Sequence, residues 1–195
     1  MIEDRFALAL AILRNVKRQY PDAFLAGGFL RDMDFGIVPK DVDIFTWASV
    51  VDEHPKFEID IDEHYSSDSR ITFVAARPEF ILPTDVVFLA DGTENEAQAV
   101  ALFALGIQQI YWGDVPGILE LDEMLGSEQG VIKTTNYNHD KENKCLTVRR
   151  CGTELEAGTI AAKVRKLQAG HFAGWPLVVP PEFEEFELIL HGGAL

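Results

Sequence analysis

Asp41-Val42-Asp43 sets two carboxylates at positions i and i+2. On an extended strand such residues share a face, with Cα atoms about 6.6 Å apart at a rise of ~3.3 Å per residue. They can converge on shared cations, and an all-oxygen donor set suits Mg²⁺ or Mn²⁺ rather than zinc. A solvated strand edge would carry the same pair, so the surroundings decide its meaning. Upstream lie Gly27-Gly28 and Arg31. Glycines let a phosphate chain approach the backbone, and a helix that starts there offers free N–H groups and a positive dipole end. Alone, Gly-Gly would mark only a tight turn; together with the paired carboxylates it points to phosphoryl-type chemistry. Transfer onto a hydroxyl uses two metals about 3.5–4 Å apart, which two carboxylates hold incompletely. A third acid is therefore expected from a neighbouring strand. Asp85, at the head of Asp85-Val86-Val87-Phe88-Leu89, is the candidate, although an aspartate at a strand start also serves as a turn cap.

The elements that must position these groups follow from periodicity. Ile2 to Arg18 carries apolar residues in helical rhythm and ends before Tyr20-Pro21. Ala23 to Ala26 reads as a short buried strand, Phe29 to Asp34 as a short helix closed by Gly36 and Pro39, and Val42 to Thr46 as a second strand. Lys56 to Tyr65 alternates apolar and charged residues like a half-buried strand, and Ile71 to Ala76 and Asp85 to Leu89 read as two more. Glu94 to Ile107 is expected to be helical, Gln108 to Trp112 a helix end or strand, and the polar stretch Tyr137 to Lys144 a loop. Thr159 to Gly170 predicts a basic helix, and Glu182 to Leu190 a terminal one after Pro180-Pro181. The expected fold class is α/β (α+β), a small mixed sheet flanked by helices. Residues 1–135 would form the catalytic core, and 136–195 a C-terminal extension, mainly loop and helix, packed on it.

With 195 residues and 47% apolar content the chain can bury a core without staples. Cys145 and Cys151 have no companions at zinc-ligand spacing, which indicates neither a disulfide framework nor a metal knuckle and fits a reducing compartment. Glu3 and Asp4 stand where a secretory leader would be basic, and no apolar run approaches the ~20 residues of a membrane span; a cytoplasmic protein with no membrane partner is expected. The net charge of −15 weakens long-range attraction to nucleic acid, so a polynucleotide would have to dock on a local basic patch. Arg149, Arg150, Lys163, Arg165 and Lys166 supply one such concentration, or else form a solvated face that offsets local acid. Trp112, Phe172 and Trp175 could stack on a base or fill the core. His64, His139 and His171 form no triad or metal pattern.

Leu25-Ala26-Gly27-Gly28-Phe29-Leu30-Arg31-Asp32, then Gly36, then Pro39-Lys40-Asp41-Val42-Asp43-Ile44-Phe45-Thr46 resembles the signature of the polymerase-β-type nucleotidyltransferase superfamily. It is closest to the head domain of the tRNA nucleotidyltransferase and poly(A) polymerase branch, with small stand-alone members as the nearer comparison. The resemblance implies that Gly27, Gly28 and Arg31 engage a nucleoside triphosphate and that Asp41 and Asp43 bind catalytic metal. Lys40 becomes a candidate phosphate contact and Asp32 a support for the turn. Downstream the pattern departs: Leu102-Phe103-Ala104-Leu105-Gly106 stands where that branch has Arg-Arg-Asp, and the Glu-Asp-x-x-Arg set that chooses between CTP and ATP is missing. The implied activity is Mg²⁺- or Mn²⁺-dependent transfer of a nucleoside monophosphate to an acceptor hydroxyl, foremost an RNA or tRNA 3′ end. The same residues leave two alternatives: a transferase directed at protein or a small molecule, including antitoxin-type adenylylation, and a catalytically silent nucleotide-binding module.

Overall fold

A computed structural model describes residues 2–47, 71–76, 82–89, 92–114 and 129–192. Helix α1 (Ile2–Lys17) buries Ala9, Ile12, Leu13 and Val16, the i, i+3, i+4, i+7 stripe of an amphipathic helix. Acids in its first turn and bases in its last oppose the helix dipole favourably. Strand β1 (Phe24–Leu25) runs into helix α2 (Gly28–Asp34) through Gly27, whose φ of 78° is left-handed and suits glycine. The Gly27 carbonyl accepts the first helical bond from the Arg31 N–H, at 3.0 Å.

Strand β2 (Val42–Thr46), β3 (Ile71–Ala76) and β4 (Thr84–Leu89) complete a mixed sheet of order β1-β2-β4-β3, in which only β2 and β4 are parallel. Ala26 continues β1 by bridging Tyr111 of β5 (Ile110–Asp114), which pairs antiparallel with β6 (Gln129–Lys133). The expected class, a small mixed sheet with flanking helices, is the observed one. The strand expected over Lys56 to Tyr65 lies outside the described residues.

The helix expected from Glu94 is shorter: α3 spans Glu96–Ala101, capped by Asn95, and a 3-10 turn at Gly106–Gln108 precedes β5. Of the stretch expected as loop, residues 137–143 belong instead to helix α4 (Thr135–Asn143), and Lys144 is its left-handed C-cap. Thr134 caps it by accepting from the Tyr137 N–H. Its inward face is made of Tyr137 and Asp140, whose polar atoms are satisfied by distant partners, so no apolar stripe betrays the helix. Helix α5 (Glu154–Gln168) starts earlier than expected, at the Thr153-x-x-Glu156 signature, where Thr153 accepts from the Glu156 N–H and Glu156 accepts from the Gly152 N–H. The expected terminal helix divides into a 3-10 stretch (Pro181–Phe186) and α6 (Glu187–Leu190), while β7 (Leu146–Thr147) and β8 (Leu177–Val178) add a short parallel pair. One hydrophobic cluster runs from Ala9 through Leu30, Ile44 and Tyr137 to Val164 and Leu190, so α4 and α5 share the core of the sheet.

Asp34, at the end of α2, ties these parts together. It accepts from Lys133 on β6 at 2.6 Å, and from Lys141 and Tyr137 on α4 at 2.7 Å each. Burial alone would raise its pKa, but the two lysines and the tyrosine outweigh it and bring the carboxyl down to about 2. A pKa depressed below the unfolded value gives stability that is present above pH ~4 and lost as pH falls through about 2. Asp34→Asn should therefore cost about 1–2 kcal/mol at pH 7, and the gap between wild type and variant should close toward pH 2. Urea unfolding of both proteins at pH 7, 4 and 2 checks this; a gap that stays constant with pH would refute it.

Candidate active-site cleft

The two parallel strands make the centre of the site. Along β2, Val42, Ile44 and Thr46 are buried in the core, which turns Asp43 and Phe45 to the opposite face. Along β4 the register aligns Asp85 with Asp43 and Val87 with Phe45. A sequence separation of some forty residues thus closes to one inter-strand step, about 4.8 Å. Asp41, just before β2, also lines the cleft, which has a volume of about 530 Å³.

Charge crowding is visible at Asp43. It keeps some surface toward the cleft, yet protein atoms enclose it, and burial together with the adjacent Asp41 pushes its pKa up to about 6. Lys163 and Arg31 pull it down and Asp85 pushes it further up. Asp41, Asp43 and Asp85 thus share one recess, where like charges oppose one another's ionisation.

The glycine turn and α2 form one wall. Gly27 and Gly28 both line the cleft, but the Gly27 N–H donates to the Ile110 carbonyl at 2.9 Å, so it braces β5. Arg31 is buried, with its guanidinium 5.4 Å from the centre of the Phe172 ring. Asp32 accepts from Arg31 Nε at 2.8 Å and from Nη2, so its side chain fixes the arginine fork while its carbonyl receives the Phe35 and Ile37 N–H groups that close the helix. Lys40 stands exposed at the rim.

A further part of the lining comes from α5 and the turn after it. Glu156, Thr159, Ile160, Lys163, Lys166 and Leu167 face the cleft, followed by Gly170, His171 and Phe172. The five basic residues that cluster in the sequence are thereby divided. Arg150, Lys163 and Lys166 line the cleft, with Arg150 ion-paired to Glu156 at 2.9 Å. Arg149 lies 3.6 Å from the buried Asp140 and Arg165 is not among the lining residues. Phe172 is core as well as cleft wall, packed edge-on against Phe35 and Trp175, and Trp112 packs edge-on against Phe6. Sequence reasoning misses Phe103, Gln108, Glu156 and Thr159 as lining residues. For Glu156 the Thr-x-x-Glu signature is a usable signal.

Among the described residues, the group of potential metal ligands whose ligand atoms lie within 4.8 Å of one another is His139, Asp140 and Cys145. Asp140 is fully buried, and its Oδ2 accepts from the Ile107 and Thr147 N–H groups at 3.0 Å each. Arg149 beside Oδ1 gives the cluster a structural explanation without a cation. Among the described residues no helix is long and apolar enough to cross a membrane.

No family model matches the chain, and no curated protein does. Solved structures do. A CCA-adding enzyme from Bacillus stearothermophilus, in complex with CTP, is 22% identical with a TM-score of 0.49, over 93% of this chain and 42% of that one. A tRNA-processing enzyme in an apo form is 16% identical with a TM-score of 0.49, over 97% and 46%. The Thermotoga maritima CCA-adding enzyme bound to tRNA is 16% identical with a TM-score of 0.47, over 84% and 36%. The chain spans less than half the length of each.

Proposed function

We propose that this chain is a nucleotidyltransferase that moves a nucleoside monophosphate from a nucleoside triphosphate to an acceptor hydroxyl and releases pyrophosphate. The observation that carries the reading is the β2–β4 register, which sets Asp85 beside Asp43 in the cleft that Asp41, Gly28 and Arg31 also line. In the transfer the acceptor oxygen bonds to the α-phosphorus, the bond from that phosphorus to the α–β bridging oxygen breaks, and pyrophosphate leaves with the electron pair. Divalent cations, Mg²⁺ or Mn²⁺, held by Asp41, Asp43 and Asp85 would acidify the acceptor hydroxyl and neutralise the leaving group. Asp85 is also the candidate to take the hydroxyl proton. Gly28 gives the phosphate chain close access, and Arg31, held by Asp32, offers an oriented cation. Residues 1–135 carry the aspartates and the glycine turn, and 136–195 supply the facing wall.

An RNA 3′ end is the acceptor the motif resemblance favours. One observation supports a second reading, a protein or small-molecule acceptor: the net charge is −15, and of the five basic residues that cluster in the sequence Arg150, Lys163 and Lys166 line the cleft while Arg149 lies beside the buried Asp140. Incubation with each of four α-labelled triphosphates, Mg²⁺ and separate pools of RNA, protein and small metabolites tests both. Label in one pool with stoichiometric pyrophosphate is the expected result; triphosphate bound tightly without pyrophosphate release would replace transfer by a silent binding module.

A further inference from the structure

α5 turns a stripe toward the carboxylates that helical spacing alone defines: Thr159, Lys163 and Lys166 recur at i, i+4 and i+7, on the cleft side, while Ala157, Ala161 and Val164 are buried in the core. The Arg31 fork is held along one edge by Asp32, and Arg150 is paired with Glu156. Lys163 is exposed and lines the same cleft as Asp41, Asp43 and Asp85. A triphosphate approaching three carboxylates is repelled unless positive charge stands on its far side. A lysine ammonium, a compact charge on a flexible stem with three donors, can turn from a carboxylate to a phosphate oxygen.

We infer that Lys163 is a direct ligand of the β- and γ-phosphates of the incoming triphosphate, closing from α5 the polyphosphate site that Arg31 also lines, with Lys166 as the next cation along the same face. The inference rests on the nucleotidyl-transfer reading and deepens it: α5 becomes the element that tells a triphosphate from a monophosphate.

The test is equilibrium binding, which needs no turnover. Titration calorimetry with the α,β-methylene analogues of the four triphosphates and with the four monophosphates, all with Mg²⁺, compares wild type with Lys163→Gln and Lys163→Arg. Lys163→Gln should weaken the triphosphate analogue about tenfold or more, the loss of one charge-assisted bond, and leave monophosphate affinity unchanged. Lys163→Arg should recover most of the difference. Lys17→Gln, remote from the cleft on α1, should bind as wild type does. Equal weakening of tri- and monophosphate by Lys163→Gln, or no weakening of either, overturns the inference while the transfer reading stands. Failure of wild type to bind any triphosphate overturns both.

Discussion

Asp43→Asn should lower nucleotidyl transfer by at least about 10³-fold and, in the presence of a chelator, raise the melting temperature of the protein. The two effects come from one cause. Asp43 lies enclosed beside Asp41 and Asp85, and burial first, then the neighbouring Asp41, pushes its pKa up to about 6. A carboxyl whose folded pKa is raised binds more protons folded than unfolded, between about pH 4 and 6. Stability therefore falls as pH rises through that window and stays low above it. Asparagine removes this penalty, on the order of 1–2 kcal/mol once cleft solvent is allowed for. It also removes a ligand from the metal set, and several kcal/mol of lost transition-state stabilisation corresponds to about a thousandfold in rate. Pyrophosphate release and thermal unfolding in EDTA, measured at pH 5 and 8 for wild type, Asp43→Asn and Asp41→Ala/Asp43→Ala, read both quantities. A variant that kept full transfer, or one that was less stable than wild type at pH 8 in EDTA, would show that the carboxylates serve the fold and not a cation.

How much of this site is legible in the amino-acid sequence depends on how far apart its residues lie along the chain. The glycine turn, Arg31 and the Asp41/Asp43 pair lie within one strand-turn-helix-strand unit, so local rules of turn chemistry and strand alternation are enough to place them together. Asp85 enters on chemical need alone. That it stands in register with Asp43 depends on β2 and β4 being parallel, and a parallel pairing leaves no short-range trace because its strands are joined by a long connection. The facing wall is harder still. Lys163 and Lys166 are visible as basic residues, but their direction depends on how α5 packs through Ile160 and Val164 on a core assembled from the whole chain. Tyr137 and Asp140 conceal α4 because a helix whose buried face is polar has no hydrophobic period to detect. Thr153-x-x-Glu156 is a signal the sequence does carry, and it moves the start of α5 forward and brings Glu156 into the cleft.

Asp140→Ala should be the most destabilising single change outside the hydrophobic core, at about 3–5 kcal/mol, a large share of the roughly 5–15 kcal/mol that typically holds a domain together. The carboxylate has no solvent exposure and joins three segments: the Ile107 N–H of the 3-10 turn and the Thr147 N–H of β7 share Oδ2, and Arg149 lies beside Oδ1. Gly106 is there to let it in, since a Cβ at that position would come within 2.7 Å of Oδ2. Alanine would strand two buried N–H groups and a guanidinium whose Nε already lacks a hydrogen-bond partner among the described residues. Asparagine can keep the Oδ2 acceptor but turns an amide donor toward Arg149, so Asp140→Asn should cost roughly half as much. Adding Arg149→Met to Asp140→Asn should return part of that loss, because the two side chains are coupled and their effects are not additive. Urea unfolding of the two single variants and the double variant gives the coupling directly. The consequence for function follows from position: the 3-10 turn that Asp140 anchors contributes Gln108 to the cleft, next to Ala104 and Phe103. Asp140→Asn should therefore weaken triphosphate binding at temperatures well below its melting point. Unfolding costs under about 1 kcal/mol for Asp140→Ala would mean that water replaces the carboxylate and that the turn is held by its backbone alone.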